Sequence, residues 1–579
     1  MKSKFISSWS YIAILTPLLL FTFFEFVCCK NVDNIYNPYV FQYNEDVTVN
    51  TLDPAYIKSQ SEIWIASQIY EGLVGLDSLQ NPVPALSKHW EISKNGCVYK
   101  FVINTNARFA HTNAQKWGAT AIQYQRLTAF DVVYSFYRVI NPATASPGAW
   151  IFSDKVQIPK KFDFNHLQKS MMLDSAPFKA PNDSTVIIQL KSPFPAFLSI
   201  LATNYAWVIP ASTRNFEPGK LGRNPIGTGP FFLKRWEEDV RLVMLKNPQY
   251  HEFEGLVRLP YLQAINVDFV KNKQTAFMQF VAKKYDFFNG IDGSFKDDLL
   301  NKNGTLNSKY DHKIKALITP FLNTEYIGFY LGDSLNGKKN PFTDKYLRKA
   351  MQWSIDRKSL VKYLRNGLGA EGNGGFVPPA LFDGLTKKNN NLKYDLNIAK
   401  MHLQKSKVLL NKNQYAPLKL TVTADYLDMA VFLQQSWKQI GLSVEIDLQT
   451  GGMLRQLRNQ GKLGMFRGSW IADYPDAENY LSCFYSKYFS PNGPNYTHFQ
   501  SFKFDQIFEK IAFGTYANRE DRNLDCIAAD QILDDEAPIL ILYYDKSLRL
   551  HHPHVINLKN DASNRLELKR VRKKIKNSL

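Results

Sequence analysis

Three histidines fall within four positions, His551, His552 and His554, and imidazole nitrogens grouped in this way can grip a transition metal. No carboxylate or thiol spacing accompanies them, so the run around Pro553 reads as a polar turn. Gly372-Asn373-Gly374-Gly375 has the glycine density of a phosphate-cradling loop. It opens no helix, as a nucleotide loop would, and a turn is the better reading. The chain contains no Gly-x-Ser-x-Gly elbow, no His-Glu-x-x-His helix and no phosphate loop. An exported peptidase is therefore the enzyme alternative with no residues behind it. The expectation is a protein that is not an enzyme, with no cofactor and no metal.

Cysteine chemistry divides along the chain. Cys28 and Cys29 end an N-terminal leader in which Lys2 and Lys4 precede an apolar run from about Tyr11 to Phe24. The run is short and followed by polar chain, the pattern of a secretory signal over residues 1–29 rather than of a spanning helix. A cysteine directly after it points to lipidation of the new N-terminus. An ordinary signal peptide and an uncleaved anchor stay open. Cys97, Cys483 and Cys526 remain; their spacing is not that of a zinc site, and one disulfide with one free thiol is open to them in an oxidising compartment. No later segment is apolar enough to span a membrane. The mature chain is expected in the periplasm or on the outer face of the cytoplasmic membrane of a bacterium.

The charge is +19, from 71 Lys and Arg against 52 Asp and Glu. The excess is scattered except at Lys569, Arg570, Arg572, Lys573, Lys574 and Lys576. No nucleic-acid motif accompanies it, so nucleic acid is not expected as a partner. A solvated surface plus a basic tail is the reading, with contact to anionic lipid or an acidic partner left open for the tail.

The elements that would position a site alternate between strand and helix. Val98–Ile103, Thr185–Leu190 and Leu418–Thr423 carry strand patterns. Asp428–Ile440 carries helical spacing, stopped by Gly441 and followed by a strand at Leu442–Ile446. Asp395 caps a helix predicted over Leu396–Leu410. A strand–helix–strand unit of this kind is an α/β building block, and 579 residues exceed a single ordinary domain.

An ordered series of short segments then carries a resemblance. It runs through Asn50-Thr51-Leu52-Asp53-Pro54, Tyr70-Glu71-Gly72-Leu73 with Pro84-Ala85-Leu86 and Trp90, and Leu127 to Phe136. It continues through Asn141 to Pro147, Gly227-Thr228-Gly229-Pro230-Phe231, Asn340 to Ala350, and Ile355-Asp356-Arg357. Each is weak alone; their order and spacing resemble solute-binding protein family 5, which serves oligopeptide, dipeptide and nickel ABC transporters, and the oligopeptide branch within it. The resemblance implies an α/β, two-lobed periplasmic-binding-protein-like fold (class II type, cluster C) with an additional N-terminal domain. Lobe I would take 35–80, 186–320 and 539–579, the additional domain 81–185, and lobe II 321–538. The hinge would lie near Pro320–Tyr330 and Ala537–Tyr544. Arg348 and Asp356-Arg357 are expected to brace a helix by ion pairs, and Gly227, Gly229 and Pro230 to shape a turn. Residues around His111 to Tyr124 and the basic tail depart from the family pattern.

The same resemblance assigns a site within Arg467-Gly468-Ser469-Trp470-Ile471-Ala472-Asp473-Tyr474. Asp473 would pair with the α-ammonium of a peptide, a charge-assisted contact. Arg467 would meet the peptide carboxylate, and Ser469, Trp470, Ile471 and Ala472 would offer backbone groups to an added strand. A facing strand is expected from Ser59-Gln60-Ser61. The implied partners are a peptide, the permease subunits of an ABC transporter and, through Cys28 or Cys29, a membrane surface; the protein is expected to be a monomer. A nickel complex, haem, a murein peptide or a sugar is the alternative ligand, and an exported chaperone or receptor the alternative role.

Overall fold

The main sheet runs through eleven strands. In the computed structural model, residues 37–111, 122–290, 295–382, 393–408 and 413–574 are described. The leader with Cys28 and Cys29, residues 112–121 of the long connection after His111, and the last five residues lie outside them. From Tyr39 onward the chain packs as one unit.

Fifteen strands matter here. They are β1 (Val40–Glu45), β2 (Ser87–Ile92), β3 (Val98–Ile103), β4 (Phe178–Asn182), β5 (Thr185–Gln189), β6 (Phe231–Glu237), β7 (Arg241–Lys246) and β8 (Ala264–Phe269). They continue with β9 (Phe287–Asn289), β10 (Lys315–Phe329), β11 (Ala370–Glu371), β12 (Lys419–Val422), β13 (Glu445–Leu448), β14 (Met465–Ile471) and β15 (Ile539–His551). The main sheet has the order β6-β7-β8-β1-β9-β15-β10-β14-β12-β13, with β11 added to β15. β1 pairs with β8 in parallel, as does β12 with β13, whereas β10 and β15 are antiparallel. β2, β3, β5 and β4 form a separate antiparallel sheet.

β10 and β15, 15 and 13 residues long, are shared by the two halves of the main sheet. Their register slips between Pro320 and Thr324 and again between Glu325 and Tyr326. Proline has no N–H to give to a ladder, and such irregularities bend a strand pair locally. The core of residues 81–185 is continuous with that of the first half. Phe101, Phe136, Phe152 and Phe178 belong to the same buried cluster as Phe41, Tyr43, Trp64 and Phe287.

The family-like segments have local structural work. Asp53 takes a two-point ion pair from Arg138 at 2.8 and 2.6 Å, which ties the Leu-Asp-Pro segment to the helix Ala129–Ile140. A Cβ on Gly227 would stand 2.0 Å from the Ile69 carbonyl oxygen, so only glycine permits that approach. Arg348 and Arg357 correct the expectation of ion pairs. Arg348 donates to the carbonyls of Phe342, Glu536 and Ala537, and Arg357 to those of Gln352 and Ile541. The first plugs the C-terminus of the helix Arg519–Glu536, whose last carbonyls have no partner within the helix. Asp356 caps the helix Arg357–Leu364 through the Ser359 N–H.

A turn does form at Pro553 and His554, but the solvent-facing character expected of the histidine run and of the basic tail is corrected. His551 and His552 are buried; His552 stacks on Phe280 at 4.5 Å, and His554 meets the Asp286 carboxylate at 2.7 Å. The basic tail folds back onto acids: Lys569 on Glu252, Arg572 on Glu254 and Lys573 on Asp286. Cys97, Cys483 and Cys526 are free thiols, the last two buried.

Glu45, at the end of β1, has a pH signature. It is buried, Ser61 Oγ donates to its Oε2 at 2.5 Å, and Oε1 has no partner. Burial pushes its carboxyl up to about 8 from an ordinary 4.5. The folded state therefore keeps a proton that the unfolded chain loses, and stability falls as pH rises from 4.5 to 8. At about 1.4 kcal/mol per pH unit the loss has an upper bound of about 5 kcal/mol. Glu45→Gln should raise unfolding stability by a few kcal/mol at pH 8.5 relative to its effect at pH 4, read by urea denaturation. An equal effect at both pH values would show an ordinary carboxyl.

Candidate functional site

β14 is half open. Along one edge it pairs with β10 from Phe329↔Met465 to Asn323↔Ile471. Along the other it meets β12 only at Leu420↔Met465 and Thr421↔Phe466. From Arg467 to Ile471 the second edge has no strand partner among the described residues. Alternate backbone N–H and C=O groups there point away from β10, as in any antiparallel pair. Ala472 closes the paired side by donating its N–H to Leu322 O at 3.0 Å.

Asp473 follows directly. Asn479, on the short helix Ala477–Leu481, holds this corner: its Oδ1 accepts from Trp470 Nε1 at 2.9 Å and from the Asp473 N–H at 3.2 Å. Its Nδ2 donates to Asp473 Oδ2 at 3.4 Å. The helix is itself anchored by Asp476, which caps it and takes a fork from Arg522 at 2.9 and 2.7 Å. No Lys or Arg among the described residues pairs with Asp473. It is reachable by solvent, yet the protein around it raises its carboxyl above the ordinary aspartate value, with the Asn479 amide pulling the other way. That combination belongs to a carboxylate in a concave, uncompensated position. Burial raises the Tyr205 phenol, and the charges of Asp473 and Glu62 raise it further. Tyr474 stacks on Trp150 at 6.0 Å and donates to Glu478, whose carboxyl burial pushes up to about 7.

Arg467, at the other end of the open edge, is already engaged. Nε and Nη2 donate to the Glu325 carboxylate at 3.0 and 2.6 Å, and Nη2 also reaches Tyr426 Oη at 2.7 Å. The guanidinium lies 3.7 Å from the Tyr426 ring centroid. Glu325 is 4% exposed in its side chain, and burial holds its carboxyl above the ordinary value even with Arg467 opposing. Nη1 has no hydrogen-bond partner among the described residues. Tyr426 also lines a cavity of about 540 Å³ beside β15, together with Tyr363, Arg365, Asp428, Lys546 and Asn564. Arg365 is paired with Asp545 at 2.8 Å.

Ser59, Gln60 and Ser61 correct the expected facing strand. Ser59 has extended backbone but serves as N-cap of the helix Gln60–Ala66, in a reciprocal capping box with Glu62. Gln60 donates to Asn564 O at 3.4 Å, and Asn564 is a wall of the cavity. Ser61 is spent on buried Glu45. The sequence reading missed Glu325, Tyr426, Asn479 and Asn564. Of these only Asn479, close behind Asp473, had a local signal.

A divided mixed sheet joined by two long strands, with an open strand edge, a lone carboxylate and a cavity nearby, defines a two-lobed binding protein of the periplasmic type. The chain belongs to the bacterial extracellular solute-binding proteins, family 5, whose "Middle" description matches residues 81–492. The periplasmic murein peptide-binding protein MppA of Escherichia coli K12 is 26% identical over 526 residues, covering 87% of each chain. The oligopeptide-binding protein OppA of the same strain is 25% identical over 531 residues, 88% of each. The unliganded open form of MppA superposes with a TM-score of 0.73 at 23% identity, covering 93% of this chain and 98% of that one. The DppA protein of Helicobacter pylori, in complex with the peptide STSA, gives 0.68 at 22% identity over 92% and 98%. No helix among the described residues is long and apolar enough to cross a membrane.

Proposed function

We propose that this chain is the extracytoplasmic peptide-binding component of an ABC transporter, enclosing an oligopeptide between two lobes and delivering it to a membrane permease. The observation that carries the reading is Asp473: an uncompensated carboxylate in a crowded site, at the end of a strand with a free edge. A peptide's α-ammonium supplies the missing charge. Its main chain pairs with Ser469 to Ala472 as an added strand, which accepts many sequences because all peptides share that main chain. Arg467, oriented by Glu325, offers Nη1 to the peptide carboxylate. Five residues separate Arg467 from Asp473, the last of them beyond the end of β14, so the span is at most about 20 Å at the usual rise and limits the enclosed peptide to a short one. Gln60 reaches the wall of the neighbouring cavity through Asn564.

Over the described residues, lobe I takes 35–80, 186–320 and 539–579, the additional domain 81–185, and lobe II 321–538. The lobes close about the register slips of β10 and β15, and ligand selects the closed form by its higher affinity for it. The periplasmic names of its relatives support a location outside the cytoplasmic membrane, with Cys28 or Cys29 as the lipid anchor of a monomer. Mass spectrometry of small molecules released on denaturing freshly purified protein tests the ligand class. Short peptides with free amino termini are expected. Recovery of haem, a sugar or a metal chelate instead would reject the peptide assignment.

A further inference from the structure

Away from the cleft, Glu71, His251 and Glu252 bring their ligand atoms within 4.8 Å of one another. His251 is 4% exposed in its side chain, and neither ring nitrogen has a hydrogen-bond partner. Its Nδ1 lies 3.8 Å from Glu71 Oε2, too far for a hydrogen bond. A buried imidazole with both nitrogens idle is costly.

The neighbouring phenol adds an independent sign. Tyr250 Oη stands 2.8 Å from Glu71 Oε1 and 2.9 Å from Glu252 Oε1. A phenol has one proton, so two carboxylates share one donor. Lys569 donates to Glu252 Oε1 at 2.8 Å, while Oε2 has only a 3.4 Å approach from Arg570. Thr228 Oγ1 donates to Glu71 Oε2 at 2.9 Å and orients it.

We propose that Glu71, His251 and Glu252 form a binding site for one divalent transition-metal ion of the zinc type. One imidazole nitrogen and two carboxylate oxygens suit such an ion, and a water completes four-coordination. Bonds of about 2.0–2.2 Å require the three side chains to draw together around the ion. Lys569 remains on Glu252 Oε1 and holds that carboxylate in place behind the ion. Glu252 leads directly into the hairpin Phe253–Glu254 and Val257–Arg258, whose tip residue Leu256 is fully exposed. The ion thus fixes the base of a protruding apolar hairpin.

The test uses tag-free full-length protein stripped with a chelator and titrated with zinc chloride by calorimetry, with cobalt(II) absorption as a second readout. One ion per chain is expected, with visible cobalt bands of a four- or five-coordinate site. His251→Gln and Glu252→Gln should each weaken zinc binding at least about 10-fold. No stoichiometric uptake overturns the proposal, as does uptake that both variants retain, which would put the ion elsewhere, for instance on His551 to His554. If either variant fails to fold, the His251 imidazole NMR resonance of the unaltered protein decides. A shift at one equivalent of zinc supports the site, and an unmoved resonance refutes it.

Discussion

Asp473→Asn should weaken binding of a free-amine tripeptide by about 100-fold or more. The substitution preserves shape and removes charge, and deleting one partner of a desolvated, hydrogen-bonded ion pair costs about 2–5 kcal/mol. The loss should be specific: N-acetyl peptides, which carry no ammonium, should bind both proteins equally weakly. A pH signature accompanies it. The carboxyl is raised in the free protein, and the ammonium must find it ionised. Affinity therefore falls as pH drops through that raised value, and binding on the acid side releases a proton. Asp473→Asn should lack both effects. Calorimetry in buffers of different ionisation enthalpy measures them, and an unchanged affinity in the variant would leave Asp473 as a turn residue before Pro475.

Removing Arg467 should produce the largest loss of stability in the site. Glu325 lies buried on β10, and the Arg467 fork is its counter-charge. Breaking such a pair from one side costs about 3–5 kcal/mol, because a charge is left without compensation. Arg467→Met should lower the urea midpoint accordingly. The double variant Arg467→Met, Glu325→Leu should recover most of that loss, since a well-packed apolar pair replaces a buried ion pair at little cost. Peptide affinity separates the two roles of Arg467. If Nη1 meets the peptide carboxylate, the refolded double variant remains stable yet loses discrimination between free and amidated C-termini. If the double variant binds both forms like the natural protein, Arg467 is a brace for Glu325 alone.

Legibility in the sequence followed the range of the interactions involved. β3 occupies Val98–Ile103 as expected, because its alternation and β-branched residues act locally. Asp395 caps its helix through the N–H groups of Asn397 and Ile398, also a local event, although that helix ends at Lys405 where Ser406 turns away. Ser59 is instructive: Ser59 and Glu62 have the spacing of a capping box, a helix start written in the residues themselves. The expectation of a strand there came from resemblance and overrode it. Distance in sequence hid the rest. Glu325 meets a partner 142 positions away, and Lys569 one 317 away. Nothing near either residue marks the basic tail as folded onto acids or a glutamate as the counter-charge of Arg467. The histidine run misled for the same reason, since Asp286 and Phe280 reach His554 and His552 from far upstream.

Isothermal titration of the ligand-stripped protein with trialanine and with N-acetyl-trialanine tests the central claim most directly. Saturable one-to-one binding of trialanine is expected, with at least about 100-fold weaker binding of the acetylated form. Equal affinity for the two, or no heat from either while a non-peptide solute binds, would contradict it.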